Sequence, residues 1–118
     1  MIKDDVERFI PLAPASLQIL LALAGGELHG YAIMQEVARQ SKGRYKLGPG
    51  TLYYNMERLI GQGLVHDMGG RISDTDSRRR YYRLSAAGQG VLAAELKRLE
   101  GMIRSAKVRL RTLEGGRR

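Results

Sequence analysis

Residues 78–80 are three consecutive arginines, and Arg83 follows after Tyr81 and Tyr82. Clustered guanidinium groups are permanently charged planar donors that match phosphate oxygens. Upstream, Pro49-Gly50-Thr51 opens a stretch that also holds Tyr53, Tyr54, Asn55 and Arg58. These are side chains that read base edges. An asparagine amide pairs with adenine, a threonine bonds a base or touches a thymine methyl, and an arginine holds guanine or phosphate. Gly50 lets a helix start come close to a phosphate, where free N–H groups and the helix dipole favour an anion. Lys and Arg number 20 against 12 Asp and Glu, a net charge of +8, which suits a polyanionic partner. Arginines also blunt sheet edges, but three in succession exceed that need.

Other chemistries find little support. There is no cysteine, hence no disulfide, thiolate metal site or thiol nucleophile. His29 and His66 lack metal-ligand spacing, and His29 suits a helix start. Gly48-Pro49-Gly50-Thr51 lacks the Gly-Lys-Ser/Thr ending of a phosphate loop. Gly88-Gln89-Gly90-Val91-Leu92-Ala93 loosely matches a dinucleotide fingerprint, but no second parallel strand follows it. Asp74 and Asp76 are better explained as turn residues than as cation ligands. No nucleophile–base pair is visible, so we expect neither catalysis nor a metal or cofactor. No apolar run reaches the roughly 18 residues of a membrane helix. The N-terminus carries acids where a signal peptide wants bases. The expectation is a soluble, cytoplasmic protein without a membrane partner.

The elements that must position these residues follow from periodicity and breakers. Residues 1–13 form an arm or short helix that packs on another element, the partner subunit being one candidate. Residues 14–24 read as a helix, with Pro14 in its first turn and Leu17, Leu20, Leu21 and Ala24 as its stripe. Gly25-Gly26 ends it. Residues 30–40 read as a second helix on Ile33, Met34, Val37 and Ala38, followed by a basic turn segment holding Lys42, Arg44 and Lys46. Residues 49–62 read as a third, with Gly48 as N-cap, Pro49 at the first position and Leu52, Met56, Leu59 and Ile60 buried. At about 100° per residue, Tyr54 then points away from the core, Thr51, Arg58 and Gly50 share its face, and Tyr53 and Asn55 flank it. Residues 64–68 and 79–84 read as two strands joined by turn chemistry, a wing spanning about 64–84. Alternation sets Arg79, Tyr81 and Arg83 opposite Arg80, Tyr82 and Leu84, so one tyrosine should pack on the helices.

Residues 85–114 read as one long helix capped by Ser85, and 115–118 as a flexible basic tail. Leu92, Leu96, Leu99, Ile103, Ala106, Leu110 and Leu113 recur with gaps of 4, 3, 4, 3, 4 and 3. A narrow heptad seam flanked by Glu95, Lys97, Glu100, Arg104 and Lys107 suits pairing with a second copy. Glu100 and Arg104 are spaced to pair within the helix. The fold expected is mainly α with a small β-hairpin: a winged helix-turn-helix over residues 1–84 plus a C-terminal dimerisation helix. Two other readings fit this outline, a winged-helix protein-interaction module and a nucleic-acid binder without sequence choice.

Four short motifs in order carry a family resemblance. Leu28-His29-Gly30-Tyr31-Ala32-Ile33, Gly48-Pro49-Gly50-Thr51-Leu52-Tyr53, Arg58-Leu59 with Gly63-Leu64-Val65, and Arg79-Arg80-Tyr81-Tyr82-Arg83-Leu84-Ser85 with Ala87-Gly88 resemble the PadR family of bacterial regulators, over residues 14 to about 92. The single C-terminal helix is similar to the family's short branch. The resemblance implies a cytoplasmic homodimeric repressor on a pseudo-palindromic operator, relieved in some members by a small effector. It implies that the segment from Gly48 to Asn55 opens the recognition helix and that Gly30-Tyr31 and the wing arginines lie near phosphates. The candidate DNA contacts are therefore Gly30, Tyr31, Lys46, Pro49, Gly50, Thr51, Tyr53, Tyr54, Asn55, Arg58, Arg78, Arg79 and Arg80. Many members carry Ser where this chain has Gly48 and Pro where it has Tyr54. Some members hold aromatic ligands against a tryptophan, a residue this chain lacks.

Overall fold

The computed structural model describes residues 3–71 and 79–116, with side chains from residue 5 onward. Arg78, Asp74, Asp76 and the last two residues of the tail lie outside the described residues. The chain runs α1 (Lys3–Glu7), α2 (Pro14–Leu23), β1 (Leu28–His29), α3 (Gly30–Gln40), α4 (Pro49–Gly61), β2 (Val65–Gly69), β3 (Tyr81–Leu84) and α5 (Ala86–Gly116).

Local chemistry sets most boundaries. Pro14 and Pro49 occupy first helical positions after extended Ala13 and Gly48. Their fixed φ suits the helix, and their missing N–H would have had no acceptor there. His29 caps α3 by accepting the Ala32 N–H on Nδ1 at 3.2 Å. Gly63, at φ +77°, ends α4 as its own N–H reaches the Ile60 carbonyl and that of Leu64 the Leu59 carbonyl. Ser85 accepts the Gly88 N–H at 2.9 Å and donates to the Gly63 carbonyl at 2.6 Å. One hydroxyl thus caps α5 and ties it to the end of α4.

The helix stripes are rotated from those expected. In α2 the buried residues are Ile19, Leu20, Ala22 and Leu23, while Leu21 is exposed. In α4 they are Leu52, Asn55, Met56 and Leu59, and Ile60 is 36% exposed. The wing is part of a three-stranded antiparallel sheet ordered β1-β3-β2. Leu28 pairs with Tyr82 and His29 with Tyr81 on one side of β3, and Val65 with Leu84 on the other. A bulge between Asp67 and Gly69 shifts the register, with Gly69 at φ +75°. Both wing tyrosines are buried: Tyr82 joins the core, and Tyr81 packs edge-on to His29 at 5.4 Å.

The arm packs on its own chain. α1 lies against α5, and the Leu12 N–H donates to Glu95 Oε2 at 2.7 Å. Gly88 explains the stray glycine pattern. A Cβ there would sit 2.0 Å from the Leu64 carbonyl oxygen, so α5 meets the start of the wing backbone-to-backbone. α5 continues through Gly115 and Gly116, so these two tail residues are helical.

Candidate nucleic-acid interface

α4 offers two different faces. Leu52, Met56 and Leu59 lock it onto α2 and α3, and this packing turns Thr51, Tyr53, Tyr54 and Arg58 to solvent. Tyr54 is 63% exposed, and the Arg58 guanidinium carbon stands 5.9 Å from its ring centroid. Arg58 is thereby held along the helix by cation–π attraction at i, i+4 spacing. Pro49, Gly50 and, in the preceding turn, Lys46 are exposed as well.

Asn55 corrects the expectation of an adenine-pairing flank residue. It is buried, and its Nδ2 donates to the Thr51 carbonyl at 2.8 Å. The spacing 52, 55, 56, 59 puts it inside the apolar stripe, where back-bonding to its own helix satisfies the amide.

Beside α4 stand the start of α3 and the base of the wing. Tyr31 is 60% exposed while Gly30 is buried. A Cβ on Gly30 would lie 2.5 Å from the Tyr53 hydroxyl, so glycine is what admits that phenol over the first turn of α3. His29, Gly30, Tyr31, Tyr53, Arg79, Arg80 and Tyr82 line one open cleft of about 540 Å³. Arg79 and Arg80 are both exposed.

The supporting roles of Asp67, Arg71 and Glu27 escaped the sequence reading. Asp67 accepts from Arg80 Nε on both oxygens, at 2.9 and 3.1 Å, and from the Gly69 N–H at 2.9 Å. The Arg80 guanidinium holds this carboxyl below the usual carboxylate range, with the Gly69 amide assisting against partial burial. Among the described residues, the terminal nitrogens of Arg80 make no further hydrogen bond. Arg71 stacks over the Tyr81 ring at 3.8 Å and pairs with Glu27 at 3.2 Å, fastening the wing to the turn before β1. Tyr82 is buried, and burial followed by the nearby Asp67 charge pushes its phenol pKa up. The clue to Asp67 was strand alternation, which places it across from the arginine strand, but the bulge hid the partner.

The apolar seam of α5 divides. Leu92 is 6% exposed and belongs to the chain's own core, which corrects its assignment to a subunit interface. Leu99 is half-buried, whereas Leu96, Ile103, Ala106, Leu110 and Leu113 are exposed. Met102 and Val108, outside the expected seam, are exposed too. Glu95, expected beside the seam, is 1% exposed and accepts from Arg98 Nε as well as from Leu12. The hydrogen bond from Arg98 holds its carboxyl below the usual range, against the pull of burial. Glu100 and Arg104 form no ion pair, and among the described residues no trio of metal-ligating side chains comes together. No described helix is long and apolar enough to cross a membrane.

Residues 19–94 match the sequence profile of the Transcriptional regulator PadR-like family. The chain belongs to that family. Transcriptional regulator Rv3488 of Mycobacterium tuberculosis is 36% identical over 92 residues, which cover 78% of this chain and 81% of the relative. The PadR-like fold is shared with a PadR family transcription regulator of Clostridium difficile, at 22% identity and a TM-score of 0.68, over 83% of this chain and 99% of the other. Bacillus subtilis PadR, solved in complex with operator DNA, matches at 23% identity and a TM-score of 0.63, over 73% of this chain and 48% of its own. The PadR-like family and the mycobacterial relative are transcriptional regulators, not enzymes.

Proposed function

We propose that this PadR-like regulator is a homodimer that binds a pseudo-palindromic operator and represses the gene it controls by occluding polymerase. One observation carries the reading: α4 turns Thr51, Tyr54 and Arg58 outward beside the cleft that Tyr31, Arg79 and Arg80 line. That is the layout of a recognition helix flanked by phosphate contacts. Thr51 and Tyr54 meet base edges. Arg58 holds guanine or phosphate, and Lys46, Tyr31, Arg79 and Arg80 meet the backbone. Pro49 and Gly50 bring the start of α4 close to the groove, and Tyr53 lines the phosphate side. The operator complex of Bacillus subtilis PadR supports this use of the fold. The exposed leucines and isoleucine of α5 pair with a second copy, which sets two recognition helices about one DNA turn apart. A small effector relieving repression would enter the cavity of about 390 Å³ between α2, β3 and α5, walled by Leu23, Leu84, Leu92 and Leu96 with Glu27, Arg83 and Gln89 as its polar groups.

The test is fluorescence anisotropy of the protein against its own upstream DNA and a scrambled duplex at two salt concentrations. The expected result is a preference of about a thousandfold or more, with affinity falling steeply as salt rises. Tyr54→Ala should cost about 1–3 kcal/mol on the operator and much less on the scrambled duplex. Equal weak binding to both duplexes would leave a binder without sequence choice, and binding to neither would favour the protein-interaction module.

A further inference from the structure

We propose that the cleft between the first turn of α3, α4 and the wing is a discrete site for one phosphate-type dianion, able to hold a free phosphate and not only a link of the DNA backbone. The proposal rests on the DNA-binding reading only in saying that the two ligands compete.

The cleft has more than a helix end. Tyr82 lines it, is 6% exposed, and its hydroxyl makes no hydrogen bond to any described residue. A buried hydroxyl without a partner is costly, and an anionic oxygen in the cleft would satisfy it. The Tyr53 hydroxyl stands close over Gly30, with no side chain between them. His29 caps only the Ala32 amide, so the amides of Gly30 and Tyr31 keep no intrahelical acceptor. The acidic neighbour, Asp67, is bound to Arg80 and to the Gly69 amide, so Arg79 leaves the cleft with surplus positive charge. Tyr53, Tyr82, Arg79, Arg80 and the start of α3 thus line one open volume. Together they match a tetrahedral oxyanion, whose several oxygens each need a donor. A phosphorylated small molecule would then loosen DNA binding by occupying the seat of a backbone phosphate.

The experiment uses the full chain and inorganic phosphate. Amide NMR shifts of Gly30 and Tyr31 are followed during titration with phosphate, and with chloride at matched ionic strength, in the absence of DNA. Saturable shifts with phosphate alone, weakened about tenfold in Tyr82→Phe and in Arg79→Gln, are expected. Shifts that track ionic strength equally for both anions, or saturable shifts indifferent to both substitutions, overturn the site. The two substitutions guard against misreading a folding defect, since Arg79 is exposed. Duplex affinity is measured on the same samples. Duplex binding without phosphate saturation removes the site and leaves the DNA reading intact. Phosphate saturation without duplex binding keeps the site and removes that reading.

Discussion

The two halves of α5 share one helix and one apolar spacing, but the chain's own fold covers only the first. In the first half Gly88, Val91, Leu92 and Glu95 are buried in the chain's own domain. In the second, Ile103, Leu110 and Leu113 are 52–58% exposed. The difference shows that a heptad identifies a face without identifying what covers it. The first half is fixed to the winged domain by backbone contact and by the Ser85 cap. The second half is left uncovered by the chain's own fold.

Two glycines make the sharpest test of that contrast. A Cβ at Gly88 meets the Leu64 carbonyl at 2.0 Å, whereas a Cβ at Gly101 meets nothing within 4 Å. Gly88→Val should destabilise the fold by about 3 kcal/mol or more, because the obstacle is backbone. Gly101→Ala should raise stability by about 1 kcal/mol through helix propensity. Urea unfolding of both variants checks this, and a Gly88 variant as stable as the parent would mean α5 does not seat on the wing.

Leu92 and Ile103 divide the same way. Leu92→Ala opens a cavity in the domain core and should cost about 2–3 kcal/mol. That loss should be the same at every protein concentration. Ile103→Lys should leave the domain folded and convert dimer to monomer in sedimentation velocity, so that its effect on stability depends on concentration. A dimer that survives Ile103→Lys would place the subunit contact elsewhere.

Much of this arrangement was legible because its signals are local. Pro14, Pro49 and Ser85 announce helix starts through φ preference and capping, whatever the rest of the chain does. β1 was not legible, since two residues make a strand only by pairing with Tyr81 and Tyr82, which lie far along the chain. Asn55 was misplaced because its polarity argued for solvent, and its bond to the Thr51 carbonyl is invisible without coordinates. The outward set Thr51, Tyr54 and Arg58 was readable from helical period alone. The cleft was not, because its lining comes from α3, α4 and the wing, and the bulge after Asp67 decides which arginine that carboxylate holds. Glu95 was placed beside the seam because its burial depends on the Leu12 amide of the arm, far away in sequence, as well as on Arg98.

Glu95 gives the most specific effect. Its folded carboxyl is held below the ordinary glutamate value of 4.5 by Arg98, with the Leu12 amide adding to this and burial opposing it. As pH falls, the unfolded chain therefore takes up this proton before the folded one does. The stabilisation is fully present above the ordinary value, shrinks as pH drops below it, and vanishes once the folded carboxyl is protonated. Glu95→Gln keeps an oxygen for the Leu12 N–H but loses the charge that Arg98 faces. It should cost about 1–2 kcal/mol at neutral pH, with the gap to the parent closing through the acid range. Urea unfolding from pH 7 to pH 3.5 measures that gap. A gap that stayed constant would mean the carboxylate charge contributes nothing, and that the arm is held to α5 by Val6, Ile10 and their apolar neighbours alone.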